Sequence, residues 1–151
     1  MEEIRKYDGV LSIMHVCRGN WTTDESVLLQ GAYDKLGKFF DALDLDMLAL
    51  EFSTPRAGEV EKLFSNNFLD TRVMLGFGCV NPRSEVIETP EEIVSRVEEL
   101  LQFLPPERIW LNPDCGFATF AKRPLNPYPI IQKKLENMVA ASKILREKYC
   151  K

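Results

Sequence analysis

Histidine is nearly missing from this chain of 151 residues. Its one copy, His15, lies in "LSIMHVCRGN", so no second imidazole is available to shuttle protons. Other absences narrow the field. The four cysteines, Cys17, Cys79, Cys115 and Cys150, contain no Cys-x-x-Cys pair, which argues against a zinc ribbon or a thioredoxin-like motif. No basic block stands out and the formal net charge is -4, so the electrostatic footprint of a nucleic-acid binder is lacking. The longest apolar runs are far too short for a bilayer, so no membrane partner is expected. "MEEIRKYDGV" is charged and has no apolar signal core. A cytoplasmic setting is therefore expected, where cysteines serve as thiols, thiolate ligands or inert core residues rather than as disulfides. The glycines of "LGFGC" are followed by neither a GxGxxG nor a Walker pattern, which excludes a phosphate loop there.

The rest has the balance of a globular protein, 45% hydrophobic and 28% charged, and its length suggests one domain over 1–151. Strand and helix signals alternate. Apolar runs at 10–17, 47–52, 72–80 and 108–115 read as strands, the first as one buried on both faces. Helical signals occupy 25–43, 57–64, 89–104 and 129–150; at 89–104, Thr89, Pro90 and Glu92 form a capping-box start. Four strand–helix units imply right-handed crossovers and a parallel sheet. A closed barrel of this kind needs eight strands and about 250 residues, so this chain supplies half of one. A small open doubly wound sheet fits the same count.

Each strand ends in polar chemistry. His15 and Cys17 end the first, Glu51 the second; Asn81 follows the third, and Asp114 and Cys115 end the fourth. In α/β folds ligands bind at this edge, so these side chains should converge. His15 and Cys17 lie two apart on a strand and so share a face. With Cys115 and Glu51 they make one imidazole, two thiolates and a carboxylate, a set suited to zinc and too soft for magnesium or calcium. Plainer roles exist for each residue alone. Cys17 could be a packed thiol, Glu51 an ion-paired or capping carboxylate, and Cys115 a turn residue. Cys79 reads as a core thiol and Cys150 as incidental.

"HVC", "LALEFSTPRAGEVEKL", "TPEEIVSRVEELLQFLPPERIWLNPDCGF" and "LENMVAASKILR" resemble, in this order, the C-terminal half of the cobalamin-independent methionine synthase family. "HVCRGN" and "NPDCGF" resemble its short archaeal and bacterial members. The resemblance implies an α/β fold, a parallel (β/α)4 half of a TIM-type (β/α)8 barrel. It implies a catalytic Zn2+ held by His15, Cys17, Glu51 and Cys115, with Glu51 exchanged as a substrate sulfur arrives. It also implies methionine biosynthesis: a homocysteine-like thiol is activated as a zinc thiolate and takes a methyl group from a methyl-folate-like donor. Arg18, Asn81 and Asp114 are the candidates for substrate contact.

There are two departures from the family. Val80 and Asn81 stand where it carries a His-Ser pair; Asn81 and Arg83 can hydrogen-bond a substrate but cannot replace a general acid near neutral pH. The N-terminal half of the catalytic barrel, with its substrate-gripping Asp and much of the folate site, is not in this sequence. A half barrel leaves strand edges unpaired, so a homo-oligomer, a partner half-barrel or a place within a longer chain is expected. The leading expectation is a zinc-dependent thiol S-methyltransferase module. The alternatives are alkyl transfer with another thiol or donor, and a non-catalytic remnant or regulatory half.

Overall fold

The computed structural model describes residues 3–150. Its sheet has four strands, β1 (Ile13–Val16), β2 (Met47–Glu51), β3 (Met74–Val80) and β4 (Ile109–Pro113), in the order β1-β2-β3-β4 and all parallel. The α-helices are α1 (Gly37–Asp41), α2 (Leu69–Arg72), α3 (Pro90–Leu100) and α4 (Tyr128–Tyr149). Each strand neighbours the next in sequence, the topology of successive crossovers within a TIM-type barrel, so the α/β half-barrel reading fits.

Alternation along the strands sorts the sheet into two faces. Leu48, Leu50, Leu75, Phe77 and Cys79 point to one face and pack with Ile93, Val97 and Leu100 of α3 and Ala141 of α4. The register row His15–Ala49–Gly76–Trp110 points to the other. There β3 carries glycines for a steric reason. A Cβ at Gly78 would lie 2.5 Å from Asp114 Oδ1 and 2.5 Å from the Leu50 carbonyl, so only hydrogen leaves room for the Asp114 carboxylate.

The capping box forms as its sequence indicates. Thr89 Oγ1 accepts from the Glu92 amide at 3.2 Å, and Glu92 Oε2 accepts from the Thr89 amide at 2.7 Å. The long α4 closes on α3 and on the loop after β3. Its Lys134, buried entirely, pairs with Glu88 at 2.8 Å, and Asn137 donates to the Glu88 carbonyl.

Three expectations change. The first strand is not buried on both faces: β1 is an edge strand, and Ile13 is 52% exposed. A run of apolar residues cannot distinguish an edge from a centre. The helix expected at 25–43 is broken into 3₁₀ turns at Glu25–Val27 and Tyr33–Leu36 followed by the short α1. Gly31, at φ 137°, lies far from helical values, and its amide and carbonyl are taken by the Arg56 carbonyl and the Arg18 side chain. The segment 57–64 likewise forms 3₁₀ turns, Pro55–Ala57 and Val60–Phe64, separated by Gly58 at φ 76°. Among the described residues no helix is long and apolar enough to cross a membrane.

Candidate metal centre

β1 and β4 are at opposite ends of the sheet order, yet they meet at the site. In a flat sheet three strand spacings separate them by about 14 Å. His15 Nε2 instead lies 3.3 Å from Cys115 Sγ, and Cys17 Sγ lies 3.1 Å from the same sulfur. The sheet curls so that its first and last strands bring their C-terminal ends together, the curvature of a barrel wall. Side chains cross the same gap: Asn20 Nδ2 donates to the Gly116 carbonyl at 2.6 Å, and Thr119 Oγ1 to the Asn20 carbonyl.

Local sequence fixes each donor. His15 and Cys17 share the face opposite the helices by strand alternation. A carbonyl can only accept, so the 2.9 Å contact of His15 Nδ1 with the Ala49 carbonyl makes Nδ1 the protonated nitrogen. The unprotonated Nε2 is then aimed at the thiols, the tautomer and orientation a metal-binding histidine uses. Gly19 donates its amide to Cys17 Sγ at 3.2 Å. It sits at φ 109°, and a Cβ there would run into Trp21 and Leu28, so "HVCRG" needs its glycine to turn the chain back onto the sulfur.

His15, Cys17 and Cys115 thus place three ligand atoms within 4.8 Å of one another, a group that could hold a metal ion. All four cysteines are free thiols. Burial pushes the Cys115 thiol far up from its ordinary range, and the neighbouring Cys17 and Glu51 push it further. Anionic sulfur is therefore disfavoured there unless a cation joins it, and one imidazole with two thiols is a donor set that fits zinc.

Glu51 meets this group on one side only. Cys115 Sγ donates to its Oε1 at 3.2 Å, and the Arg18 amide donates to the same oxygen. Its Oε2 accepts from Arg56 Nη2 at 2.9 Å, and the residue is 1% exposed. Behind it lies a buried network of alternating charge. Arg83 bonds Asp114 at 2.7 Å and Glu25 at 3.2 Å and stands 4.0 Å from Glu51; Arg56 faces Glu25 at 3.6 Å. Glu25 stays below the usual carboxylate range: partial burial pushes it up, but Asn81 and the two arginines outweigh that. Tyr33 completes the wall beneath Glu51, exchanging hydrogen bonds with its backbone, and burial raises its phenol to about 12.

The three residues named for substrate contact all have partners within the chain. The Arg18 guanidinium lies over the Tyr33 ring and donates to the Gly31 carbonyl, with Nη1 buried and unpartnered. Asn81 donates from its side chain to Glu25 at 2.7 Å. Asp114 is wholly buried and accepts from Arg83, Ser53 and the Phe52 amide. Burial pushes its carboxyl up, against the pull of Ser53 and Arg83. Cys79 is a core thiol on the helix-facing side, raised to about 12 by burial, and Cys150 caps the far end of α4. Sequence reasoning missed Arg56 and Glu25. One signal was available for Arg56: a carboxylate buried at a strand end needs a cation, and "EFSTPR" offers one five residues on.

Residues 14–144 match the family model for the catalytic domain of cobalamin-independent synthase. A methionine synthase of Sulfurisphaera tokodaii is 35% identical over 135 residues, which is 89% of this chain and 33% of that protein. A 5-methyltetrahydropteroyltriglutamate–homocysteine methyltransferase of Candida albicans is 34% identical over 108 residues, 72% of this chain and 13% of the other. A B12-independent methionine synthase from Shewanella sp. W3-18-1 has the same fold, with a TM-score of 0.71 at 17% identity over 97% of this chain and 45% of that one. The chain thus spans about a third of the length of the archaeal relative and under half of that structure.

Proposed function

Since the chain belongs to the cobalamin-independent methionine synthase catalytic-domain family, we propose that it is a zinc-dependent thiol S-methyltransferase module, residues 1–151 forming one C-terminal half-barrel. The observation that carries this is the convergence of His15, Cys17 and Cys115 with Nε2 aimed at the sulfurs. His15, Cys17 and Cys115 would hold the ion, with Glu51 as the exchangeable fourth donor. When bound, zinc would supply the Lewis acidity that brings a substrate thiol, whose ordinary pKa is about 8.5, to its nucleophilic form near neutral pH.

The chain's own residues do the positioning. The Ala49 carbonyl fixes the His15 tautomer, the Gly19 amide supports Cys17, and Asp114, gripped by Arg83 and Ser53, anchors the turn that presents Cys115. The substrates in this reading are a homocysteine-like thiol and a methyl-folate-like donor, with the opposing barrel wall supplied by a partner half-barrel or a second copy. A reducing cytoplasm suits free thiols at such a site.

Metal analysis of protein purified without chelators tests the reading. About one zinc per chain is expected, lost in the Cys17→Ser/Cys115→Ser variant. Less than about half an equivalent, or zinc unchanged in the variant, refutes it. One observation favours a second reading, transfer involving another thiol or donor: Asn81, in the place of the family's His-Ser pair, is tied to Glu25 and cannot shuttle protons. Methylation of homocysteine from a methyl folate would argue that reading down.

A further inference from the structure

We propose that Asn20 is a positioning residue: it clasps the loop after β1 to the loop after β4 and so sets the spacing at which Cys17 and Cys115 meet. The clasp is made by the chain alone; its use in holding an ion rests on the zinc reading above.

The sheet ladder does not hold these two sulfurs together, because β1 pairs with β2 and β4 with β3. Each loop is anchored on its own side instead. The Arg18 carbonyl accepts from the Leu29 amide and from Arg56, and the Phe117 carbonyl from the Leu125 amide. Any change in the curvature of the four strands would therefore appear at the gap where the thiols face each other.

Asn20 closes that gap. It is 6% exposed, and its side-chain Nδ2 donates at 2.6 Å to the carbonyl of Gly116, the residue directly after Cys115. Its Oδ1 accepts from Arg83 Nη1 at 3.5 Å, and Arg83 grips Asp114, the residue directly before Cys115, at 2.7 Å. Its backbone carbonyl accepts from Thr119 Oγ1. A carbonyl can only accept and a guanidinium can only donate, so one orientation of the Asn20 amide satisfies both. Both neighbours of Cys115 are thus tied, directly or through Arg83, to one residue shortly after Cys17, and Gly19 between them gives its amide to Cys17 Sγ. Among the described residues, the only other hydrogen bonds between 13–20 and 109–125 are those of His15 and Cys17 with Cys115 itself. Donors split between two ends of a sheet bind more tightly when their spacing is preformed, since the ligand then need not order them.

The test measures the spacing without a metal. Phenylarsine oxide condenses with two neighbouring thiols: two As–S bonds form, and the arsenoxide oxygen leaves with both thiol protons as water. Its affinity for the full chain is read by competition with ethanedithiol, and zinc affinity by competition with a chromophoric chelator. The unaltered chain should take up the arsenical across Cys17 and Cys115, and Cys17→Ser should lose it. Asn20→Ala should weaken both arsenical and zinc by about tenfold or more, the size of effect that groups supporting metal ligands produce. Thr119→Val, which removes one bond of the clasp at an exposed position, should weaken both by about threefold. Thr89→Ala, which loses a hydrogen bond outside the clasp, should move neither, and this separates positioning from stability. The inference is overturned if the unaltered chain does not bridge the arsenical, or if Asn20→Ala binds it as tightly as the unaltered chain. Where Asn20→Ala fails to fold, unchanged arsenical affinity in Thr119→Val overturns it. A chain that loses the arsenical in Asn20→Ala yet takes up no zinc keeps the clasp and refutes the zinc reading. Zinc bound with equal affinity by both chains keeps the zinc reading and refutes the clasp.

Discussion

The two faces of the sheet are built on opposite terms. The face towards α3 and α4 is bulk: Leu48, Leu50, Leu75 and Phe77, each at most 1% exposed, fill the space between sheet and helices. The other face has small and polar residues at its centre and C-terminal edge, Ala49, Gly76 and Gly78 in the middle with His15, Cys17, Glu51 and Asp114 at the strand ends, and half-exposed Ile13 and Trp110 on its two outer strands. What organises it is charge: Arg56 and Arg83 are threaded among Glu25, Glu51 and Asp114. The contrast teaches that stability and chemistry are held by different forces on two sides of one layer. Deletions on the bulky face should cost stability and leave metal affinity of the folded chain alone. Deletions in the charged layer should affect both.

The largest effect is expected from Phe77→Ala. Phe77 stacks on Phe52 at 5.4 Å between centroids and lies in the core, so the cavity should cost about 3–5 kcal/mol in urea unfolding. Zinc affinity of the folded fraction should not change; a tenfold loss would mean the faces are not separable. Next comes Arg83→Met, which strips the partner from the fully buried Asp114. It should cost about 3 kcal/mol by the same measurement, since an uncompensated buried charge remains. Unlike Phe77→Ala it should also weaken zinc binding, by about tenfold or more, because Asp114 holds the turn before Cys115. Equal zinc affinity in the two variants would erase the distinction.

The bulky face was largely legible in the sequence. Periodicity placed β3 and α4, and the Thr89–Glu92 box marked the start of α3, because these signals are local. Half of the polar face was legible too. Strand alternation put His15 and Cys17 together, and the strand-end rule brought Glu51 and Cys115 to the same edge. The rest was hidden for physical reasons. Leu28, Tyr33 and Phe40 are buried as core residues, but long-range demands broke their helix: Arg56 needs the carbonyls of Leu29 and Arg18. Glu25 was itself read as a helix residue and Arg56 fell in the loop between the expected strand 47–52 and helix 57–64, so the cage around Glu51 became visible only with the fold. The exposed edges were hidden because Ile13 and Trp110 look like core residues in any strand.

A smaller effect is expected at a site touching neither face. Thr89→Ala removes one partner of the capping box and should cost about 1 kcal/mol in thermal or urea unfolding. The box also carries a pH signature. The Thr89 amide and hydroxyl hold the Glu92 carboxyl below the usual range in the folded chain. A depressed carboxyl stabilises the fold above the unfolded value, about 4.3, and that contribution fades as pH falls through the folded value. Glu92→Gln should flatten this part of the acid limb while leaving zinc affinity at neutral pH untouched.

The smallest effect on the single chain, and the sharpest probe of the open face, is Ile13→Thr. Ile13 precedes His15 on the same side of β1 and is half exposed, outside the packed core, so unfolding free energy should stay within about 0.5 kcal/mol. Trp110, at the other edge, is likewise half exposed. An uncovered apolar residue on an unpaired edge strand is what another strand would pack against. If the open face is completed by a second copy, light scattering should find the unaltered chain self-associating and Ile13→Thr shifted towards monomer at the same concentration. Identical scattering from both would leave β1 out of any such contact. A stability loss above about 2 kcal/mol would place Ile13 inside a packed core and remove the asymmetry between the faces.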